Sequence, residues 1–325
     1  MSRIEEEMWN GITSFVIEND YVLLRVLPEF GGKIVEISDL GNGYQWLWQD
    51  ESRPFRKRTF GDSYDKYDIS GFDECFPNIG VSKHPELEET LLPDHGELWT
   101  KPWDFFSEGD NLVGEVHGHL FNYLFRRTIA LNMNSIHFEY EVENMSEVAF
   151  SGFWSAHPLF KAEEEMSIEI TGHPQMTKEF SFSSRMGSDG EDGYAGHLDN
   201  YFWPTTQGEN LEMNDLSKIN LTKVLTDKVV VKVPEDGKIT LNNPRFGCSL
   251  KLRFDPRVIP YVGVCFNLGA YPWVGSPGTW IALEPATGPT DRLDECWNLS
   301  DLPTFKGKSR SKFGFVITLD NEKVI

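Results

Sequence analysis

The segment TWIALEPATGPTDRLDE, residues 279–295, places a carboxylate where proton-transfer chemistry could occur. Residues 280–283 form an apolar run typical of a buried strand, and Glu284 and Pro285 follow it directly. A charged residue at the end of a strand most often points into solvent. In the alternative interpretation, a rigid strand presents the carboxylate to a cleft, where it can accept a proton from a bound molecule. Partners elsewhere in the chain decide between the two interpretations.

Two histidines are candidates for the complementary acid. His157 follows the apolar aromatic run FWSA and precedes Pro158, much as Glu284 precedes Pro285. His95 lies in LLPDHGELWTKPW, between a proline–aspartate turn and two tryptophans. Each histidine taken singly is more often structural than catalytic. Two strands that each end in an ionisable group beside a proline nevertheless predict a pair, one group a natural base and the other a natural acid.

Neither a metal site nor a cofactor site is predicted. His117 and His119 are two residues apart, so a strand would place both on one face, but no third or fourth ligand is visible nearby. The sequence contains no serine or cysteine nucleophile motif, no glycine-rich dinucleotide motif and no phosphate-binding loop. We therefore expect no cofactor, and chemistry by proton transfer between side chains alone.

Four tryptophans near these candidates suggest the kind of ligand. They lie within a few residues of the candidates and are Trp99, Trp103, Trp154 and Trp273. Flat apolar rings beside carboxylates and imidazoles suit the C–H faces and hydroxyl edges of sugars. The alternative is that each tryptophan simply fills a large β core, and for any single one this alternative is favoured.

Short strands must position these groups. SIHFEYEVEN, residues 135–144, alternates apolar and polar side chains with the period of two of a sheet that has one wet face. Similar runs recur between turn-forming stretches, and no long window carries a helical apolar stripe. The pattern predicts an all-β fold, a large antiparallel sandwich or barrel, in one domain spanning residues 1–325. Residues 180–210, rich in glycine, serine and aspartate, are expected to form one elaborate loop.

Composition and charge exclude several partners. The chain has 325 residues and a formal net charge of −21, which disfavours nucleic acid and anionic membrane surfaces. No apolar run approaches the roughly 20 residues of a membrane helix. The start MSRIEEEMWNG lacks the apolar stretch of a secretory signal, and the four cysteines form no C-x-x-C pair. We expect a cytoplasmic protein with reduced thiols.

Three segments resemble a known family. DHGELW, SAHPLF and IALEPATGPTDRLDE, in this order, are similar to the signature segments of the aldose 1-epimerase (galactose mutarotase-like) family. The resemblance runs from about Tyr21 to Leu319, and its most specific element is LEPATGPTDRL. It implies a large antiparallel β-sandwich of the supersandwich type. It also implies an isomerase that interconverts the α and β anomers of a sugar.

The resemblance assigns roles to four residues. Glu284 matches the catalytic base and His157 the general acid, so each is expected to stabilise the other's charge, with His157 protonated. His95 matches the histidine that polarises the sugar ring oxygen. Asp227, in VLTDKVVVKV, lies where the family has a sugar-binding aspartate.

The sequence also departs from the family. Members commonly carry a substrate-binding arginine upstream of the first histidine, whereas here the segment contains Asp73 and Glu74, which we expect to face the substrate. The nearby FRKRTF, with Arg56 and Arg58, is interpreted as an exposed basic run. Two alternatives remain open: a non-catalytic carbohydrate-binding protein on the same fold, and an isomerase or epimerase acting at another sugar position. The sequence favours no particular sugar and no oligomeric state.

Overall fold

The computed structural model describes residues 2–50, 52–84, 91–186, 200–208, 211–272, 276–298 and 302–321. Within these ranges the chain forms 26 β-strands, one α-helix and three 3-10 helices. The strands are β1 (Arg3–Trp9), β2 (Ile12–Glu18), β3 (Val22–Leu27), β4 (Lys33–Asp39), β5 (Tyr44–Gln45), β6 (Phe72–Cys75), β7 (Ser82–Lys83), β8 (Leu91–Leu92), β9 (Asp104–Glu108), β10 (Asn111–His117), β11 (Tyr123–Asn132), β12 (Ser135–Asn144), β13 (Phe150–Ser151), β14 (Ser155–Lys161), β15 (Ser167–Ile170), β16 (Gln175–Ser181), β17 (Asn200–Phe202), β18 (Thr205–Gln207), β19 (Met213–Asp215), β20 (Leu225–Lys232), β21 (Lys238–Asn243), β22 (Cys248–Phe254), β23 (Tyr261–Leu268), β24 (Thr279–Ala286), β25 (Thr304–Phe305) and β26 (Ser309–Asn321). The α-helix α1 is Leu293–Asn298, and the 3-10 helices are Pro28–Phe30, Tyr64–Lys66 and Leu98–Thr100.

Two large antiparallel sheets contain most of these strands. The first has 14 strands in the order β1-β2-β3-β4-β6-β14-β24-β23-β20-β16-β17-β18-β19, with β5 beside β4. The second has eight, in the order β15-β21-β22-β26-β12-β11-β10-β9. The predicted all-β antiparallel sandwich is therefore confirmed.

Apolar side chains of both sheets meet in a common core. On β12 every second residue is buried, beginning with Ile136 and Phe138, as the alternating sequence predicts. Phe72 of the larger sheet meets the ring of Phe138 edge-on at 5.6 Å, so the two sheets interdigitate.

The strands that carry the acid–base candidates lie in the middle of the larger sheet. β24 continues through Glu284 and Pro285 to Ala286, and β14 continues through Pro158 to Lys161. The prediction that these groups stand at strand ends is therefore wrong. A proline keeps the chain extended but donates no ladder hydrogen bond, so it interrupts pairing without ending the strand.

The pairing of β14 with β24 shows this interruption. Ser155 faces Ala286, and regular pairing resumes at Leu159 opposite Ala282. The intervening gap holds His157 on one strand and Glu284 on the other.

The segment predicted to be one long loop contains strands in part. β17 and β18 pair within it, whereas residues 187–199 and 209–210 lie outside the described residues. Over the described part of the chain, no helix has the length and apolarity needed to cross a membrane. The four cysteines are free and buried.

Candidate active site

A cleft of about 420 Å³ opens on the face of the larger sheet that is turned away from the core. Alternation along each strand separates the two faces: on β24, Leu283 packs in the core while Trp280 and Glu284 line the cleft. β14 and β20 contribute His157 and Lys228 to the same cleft in the same way.

Glu284 and His157 face each other across the interrupted ladder. The distance from His157 Nε2 to Glu284 Oε1 is 3.8 Å, and Glu284 is only 1% exposed. Both groups are held by central strands of a sheet, which fixes their separation more tightly than loops would.

His95 reaches the cleft from a tight turn. Its backbone lies in the left-handed region, with φ of 57°, and Gly96 follows with φ of 69°. A Cβ atom at Gly96 would lie 2.3 Å from the carbonyl oxygen of Phe76, so only glycine fits there. The backbone N–H of His95 donates to the carbonyl of Ile79 at 2.6 Å and anchors the turn.

Asp94 and Tyr64 orient the His95 ring. His95 Nδ1 donates to Asp94 Oδ1 at 2.8 Å, and the Tyr64 ring stacks on the imidazole at 3.9 Å between centroids. Burial raises the pKa of Asp94, but the charge and hydrogen bond of His95 outweigh burial and lower it. The contact with the Asp94 carboxylate therefore fixes the orientation of the His95 ring.

His157 occupies a different electrostatic environment. Its ring centroid is 4.8 Å from that of His95. Burial, together with the positive charges of His95 and Lys228, lowers the pKa of His157 well below its ordinary value. This environment favours the neutral imidazole, whereas the sequence resemblance predicts a protonated one. Its Nδ1 atom is buried and has no hydrogen-bond partner among the described residues.

Lys228, rather than His157, is the cation that pairs with Glu284. Lys228 Nζ donates to Glu284 Oε2 at 2.6 Å and to Asp291 Oδ1 at 2.7 Å. Burial lowers the pKa of Lys228, but the carboxylates of Asp291 and Glu284 outweigh burial and raise it well above its ordinary value. The ammonium is thus held charged, and it neutralises part of the acidic cluster.

A second carboxyl group lies behind Asp291. Glu179 accepts hydrogen bonds from the hydroxyl of Thr290 at 3.0 Å and from the backbone N–H of Asp291 at 3.2 Å. Burial and the charge of Asp291 raise the pKa of Glu179 to about 8.

An aromatic and apolar wall completes the cleft. Phe180, Tyr271 and Trp280 line it beside Leu159 and Cys265. Trp280 Nε1 is buried and has no hydrogen-bond partner within the described ranges.

A larger groove of about 1080 Å³ crosses the outer face of the eight-stranded sheet. Several of its charged side chains pair with one another, as Lys312 does with Glu141 at 2.9 Å and Arg257 with Asp255 at 2.6 Å. The smaller cleft is therefore the better candidate, because its polar groups converge and stay partly unpaired.

Solved structures of other proteins resemble this chain over nearly its whole length. The Slr1438 protein of Synechocystis sp. PCC 6803 superposes with a TM-score of 0.70 at 15% identity, covering 97% of this chain and 100% of that one. A galactose mutarotase related enzyme from Lactobacillus acidophilus gives 0.69 at 15% identity, covering 95% and 97%. A galactose mutarotase-like protein from Lactobacillus casei gives 0.67 at 17% identity, covering 94% and 100%. No family model and no curated protein matches the sequence.

The chain has the galactose mutarotase-like fold. The fold implied by the sequence resemblance is thereby confirmed. At identities of 15–17%, the activity of these proteins does not transfer with their fold.

On this mutarotase-like sheet, five of the predicted site residues lie in the cleft or directly behind it. Glu284, His157 and His95 meet in the cleft. Asp73 and Trp99 lie behind its wall: Asp73 accepts from the Tyr64 hydroxyl at 2.7 Å, and Trp99 packs edge-on against the Tyr64 ring at 5.0 Å.

The remaining predicted residues are not brought to the cleft. Glu74 and Trp154 bond to each other between the two sheets, at 2.8 Å. Asp227 points to the opposite face of β20 from Lys228 and accepts from Arg185 Nε at 2.6 Å. Trp273 lies outside the described residues.

Two further sequence interpretations are altered. Arg58 is buried, donating to the carbonyl of Asp68 at 3.0 Å, so it does not belong to an exposed basic run. β10 ends at His117, and His117 and His119 are both exposed and do not share a strand.

Sequence reasoning missed Tyr64, Asp94, Lys228 and Asp291. The signals existed for two of them: Asp94 directly precedes His95, and Lys228 directly precedes the apolar residues 229–231 of β20. Tyr64 and Asp291 come from irregular segments, whose position relative to the sheet no periodicity encodes.

Proposed function

We propose that this protein is an aldose 1-epimerase, interconverting the α and β anomers of a sugar by acid–base catalysis. One observation carries the proposal: a carboxylate and two imidazoles from three separate segments converge on one sugar-sized cleft, where His157 Nε2 lies 3.8 Å from Glu284 Oε1. The mutarotase-like fold supports it independently.

The reaction needs one base and one acid. Glu284 takes the proton of the anomeric hydroxyl, the O1 electrons form the C1=O1 double bond, and the C1–O5 bond breaks. The ring oxygen keeps the electron pair of that bond and takes a proton from the acid. Rotation about C1–C2 and the reverse steps close the other anomer, so atoms and charges balance without a cofactor.

The two histidines divide the acid role. His95 is the proton donor, because the contact of its Nδ1 with Asp94 holds the ring in the cleft. His157 is neutral and donates or accepts a hydrogen bond beside the reacting oxygens. This assignment differs from the one the resemblance implies, in which His157 is the protonated acid.

The substrate class that suits the cleft is a neutral aldose. Asp94, Glu284 and Asp291 outnumber the single ammonium of Lys228 on its walls. A phosphate dianion would be repelled by this set, whereas hydroxyl groups can bond to either sign of charge.

The free buried cysteines support the predicted reducing cytoplasm.

A carbohydrate-binding protein without activity is the second candidate. It is favoured by the ion pair of Glu284 with Lys228, because a carboxylate held at 2.6 Å from an ammonium is a good hydrogen-bond acceptor but a weakened base.

Anomer exchange measured by NMR tests both candidates. Catalysed exchange with a panel of neutral aldoses, proportional to protein concentration and absent after heat denaturation, is expected. Sugar binding by calorimetry without any exchange would favour the second candidate. If the protein neither binds a sugar nor catalyses exchange, both candidates are contradicted.

A further inference from the structure

Lys228 and Glu284 lie on strands that are not neighbours. Lys228 on β20 faces Cys265 of β23, and Glu284 on β24 faces Gly263 of the same β23. The ammonium therefore reaches across β23 to bind Glu284 Oε2 at 2.6 Å. Such a bridge forms only where the intervening strand leaves room above it.

Gly263 provides that room. A Cβ atom there would lie 3.0 Å from Glu284 Oε2 and 3.0 Å from the Lys228 side chain. Any other residue would have to push the two partners aside.

The bridge leaves the two oxygens of Glu284 unequal. Oε2 is bound by Lys228, whereas Oε1 points toward His157 Nε2 at 3.8 Å. Lys228 has three N–H donors, of which Glu284 and Asp291 take two. Its contact thus fixes which oxygen of the base faces the cleft.

We propose that Lys228 is the positioning residue of the base: its ammonium binds Oε2 and directs Oε1 toward the anomeric hydroxyl. This inference rests on the proposed function. Lys228 acts through Glu284, and removing it leaves a buried carboxylate without its cation, which binds a proton more readily.

Other ionisable groups surround Glu284 and enter its pH dependence. His157 faces it from β14, Cys265 and Cys75 from β23 and β6, and Asp291 from the segment after β24. All of these remain in a Lys228 variant, so a change in the pH profile reports the loss of the ammonium itself.

The test compares Lys228→Met with Lys232→Met. Lys232 lies on the same strand, is exposed, and loses the same charge on substitution. In Lys228→Met we expect kcat for anomer exchange to fall on the order of 10²-fold. We expect KM to change little and the acidic limb of the kcat/KM profile to move to higher pH. Lys232→Met should match wild type in all three.

A second variant tests the inference even if Lys228→Met does not fold. Gly263→Ala keeps every charge but presses a methyl group between Lys228 and Glu284, so kcat should fall while the fold, followed by circular dichroism, is retained. If Lys228→Met does not fold, unchanged kcat in Gly263→Ala overturns the inference.

The outcomes also separate the inference from the proposed function. An active wild type whose Lys228→Met variant keeps the wild-type pH profile, with kcat reduced only by the unfolded fraction, contradicts the role of Lys228 alone. A wild type that catalyses no exchange contradicts both.

Discussion

Two buried charge clusters lie on opposite faces of the larger sheet. Between the sheets, Glu74 accepts hydrogen bonds from Arg127 at 3.0 Å, Tyr140 at 2.8 Å and Trp154 at 2.8 Å, so both of its oxygens are bound. At the cleft, Glu284 is equally buried, but only Oε2 has a hydrogen-bond donor among the described residues, Lys228.

The difference separates a structural carboxylate from a reactive one. A buried charge is stable when its oxygens are all bound, and it then has no capacity left for a ligand. Glu284 keeps one oxygen open toward His157, whose Nδ1 also lacks a partner within the described ranges. The same residue type therefore serves folding on one face and is free for chemistry on the other.

The largest expected effect is on turnover at the cleft. Glu284→Gln keeps the shape of the side chain, but an amide cannot accept the anomeric proton. Turnover measured by NMR exchange should fall on the order of 10²–10⁴-fold, the usual share of one general base, while sugar affinity by calorimetry changes little. Wild-type turnover in a folded Glu284→Gln variant would remove Glu284 from the mechanism.

A glutamate-to-glutamine substitution at Glu74, between the sheets, should lower stability instead of turnover. Glu74→Gln leaves Arg127 buried without a counter-charge, at a cost of about 3 kcal/mol in the free energy of unfolding. Turnover per folded molecule should stay at the wild-type value. The measurement is urea denaturation combined with exchange kinetics, and a loss of turnover without loss of stability would reverse the comparison.

A smaller effect concerns pH. His157 has a folded-state pKa well below its ordinary value of 6.5, because of burial and the nearby charges of His95 and Lys228. Below about pH 6.5 the unfolded chain binds a proton that the folded site refuses, so stability is complete above that pH and is lost as pH falls. The loss approaches about 1.4 kcal/mol per pH unit until the folded pKa is reached.

His157→Gln should remove the part of the acid-induced loss of stability that His157 causes, as measured by the free energy of unfolding against pH. His117→Gln, at an exposed strand end, is the matched control and should leave the curve unchanged. If the free energy of unfolding depends on pH with the same slope in wild type and in His157→Gln, His157 is already accessible to protons in the folded protein.

The smallest expected effect on catalysis is at Asp227. Asp227→Asn changes a group bound to Arg185 on the far side of β20, so KM for the sugar should equal that of wild type. A raised KM with an unchanged fold would restore Asp227 to the binding surface that the sequence resemblance predicts.

The sequence predicts which segments form strands better than it predicts which face of a sheet a polar side chain occupies. Period-two alternation identifies β12 correctly, because burial of one face directly selects apolar residues. On β20, however, Asp227 and Lys228 are adjacent and both buried, so alternation says only that they point apart. Which of them reaches the cleft depends on neighbouring strands distant in sequence.

Residues from turns were the hardest to predict. His95 was found by its resemblance to a family motif, but Tyr64, which stacks on it, comes from a 3-10 helix 31 positions earlier. The strand ends expected beside Pro158 and Pro285 were wrong, since an extended proline can remain inside a strand where its missing N–H is not needed.

The bridge over Gly263 also links the motions of three strands. An ion pair that joins β20 to β24 cannot persist if β23, which runs between them, separates from either side. In hydrogen–deuterium exchange, the amides of these strands should therefore become accessible together, as one cooperative unit, and last in the molecule. The His95 turn lies outside these three strands and is held by backbone hydrogen bonds to Ile79 and, through Glu97, to Phe76, so its amides should exchange separately from theirs. The base and its acid would then belong to two units of the protein that open separately.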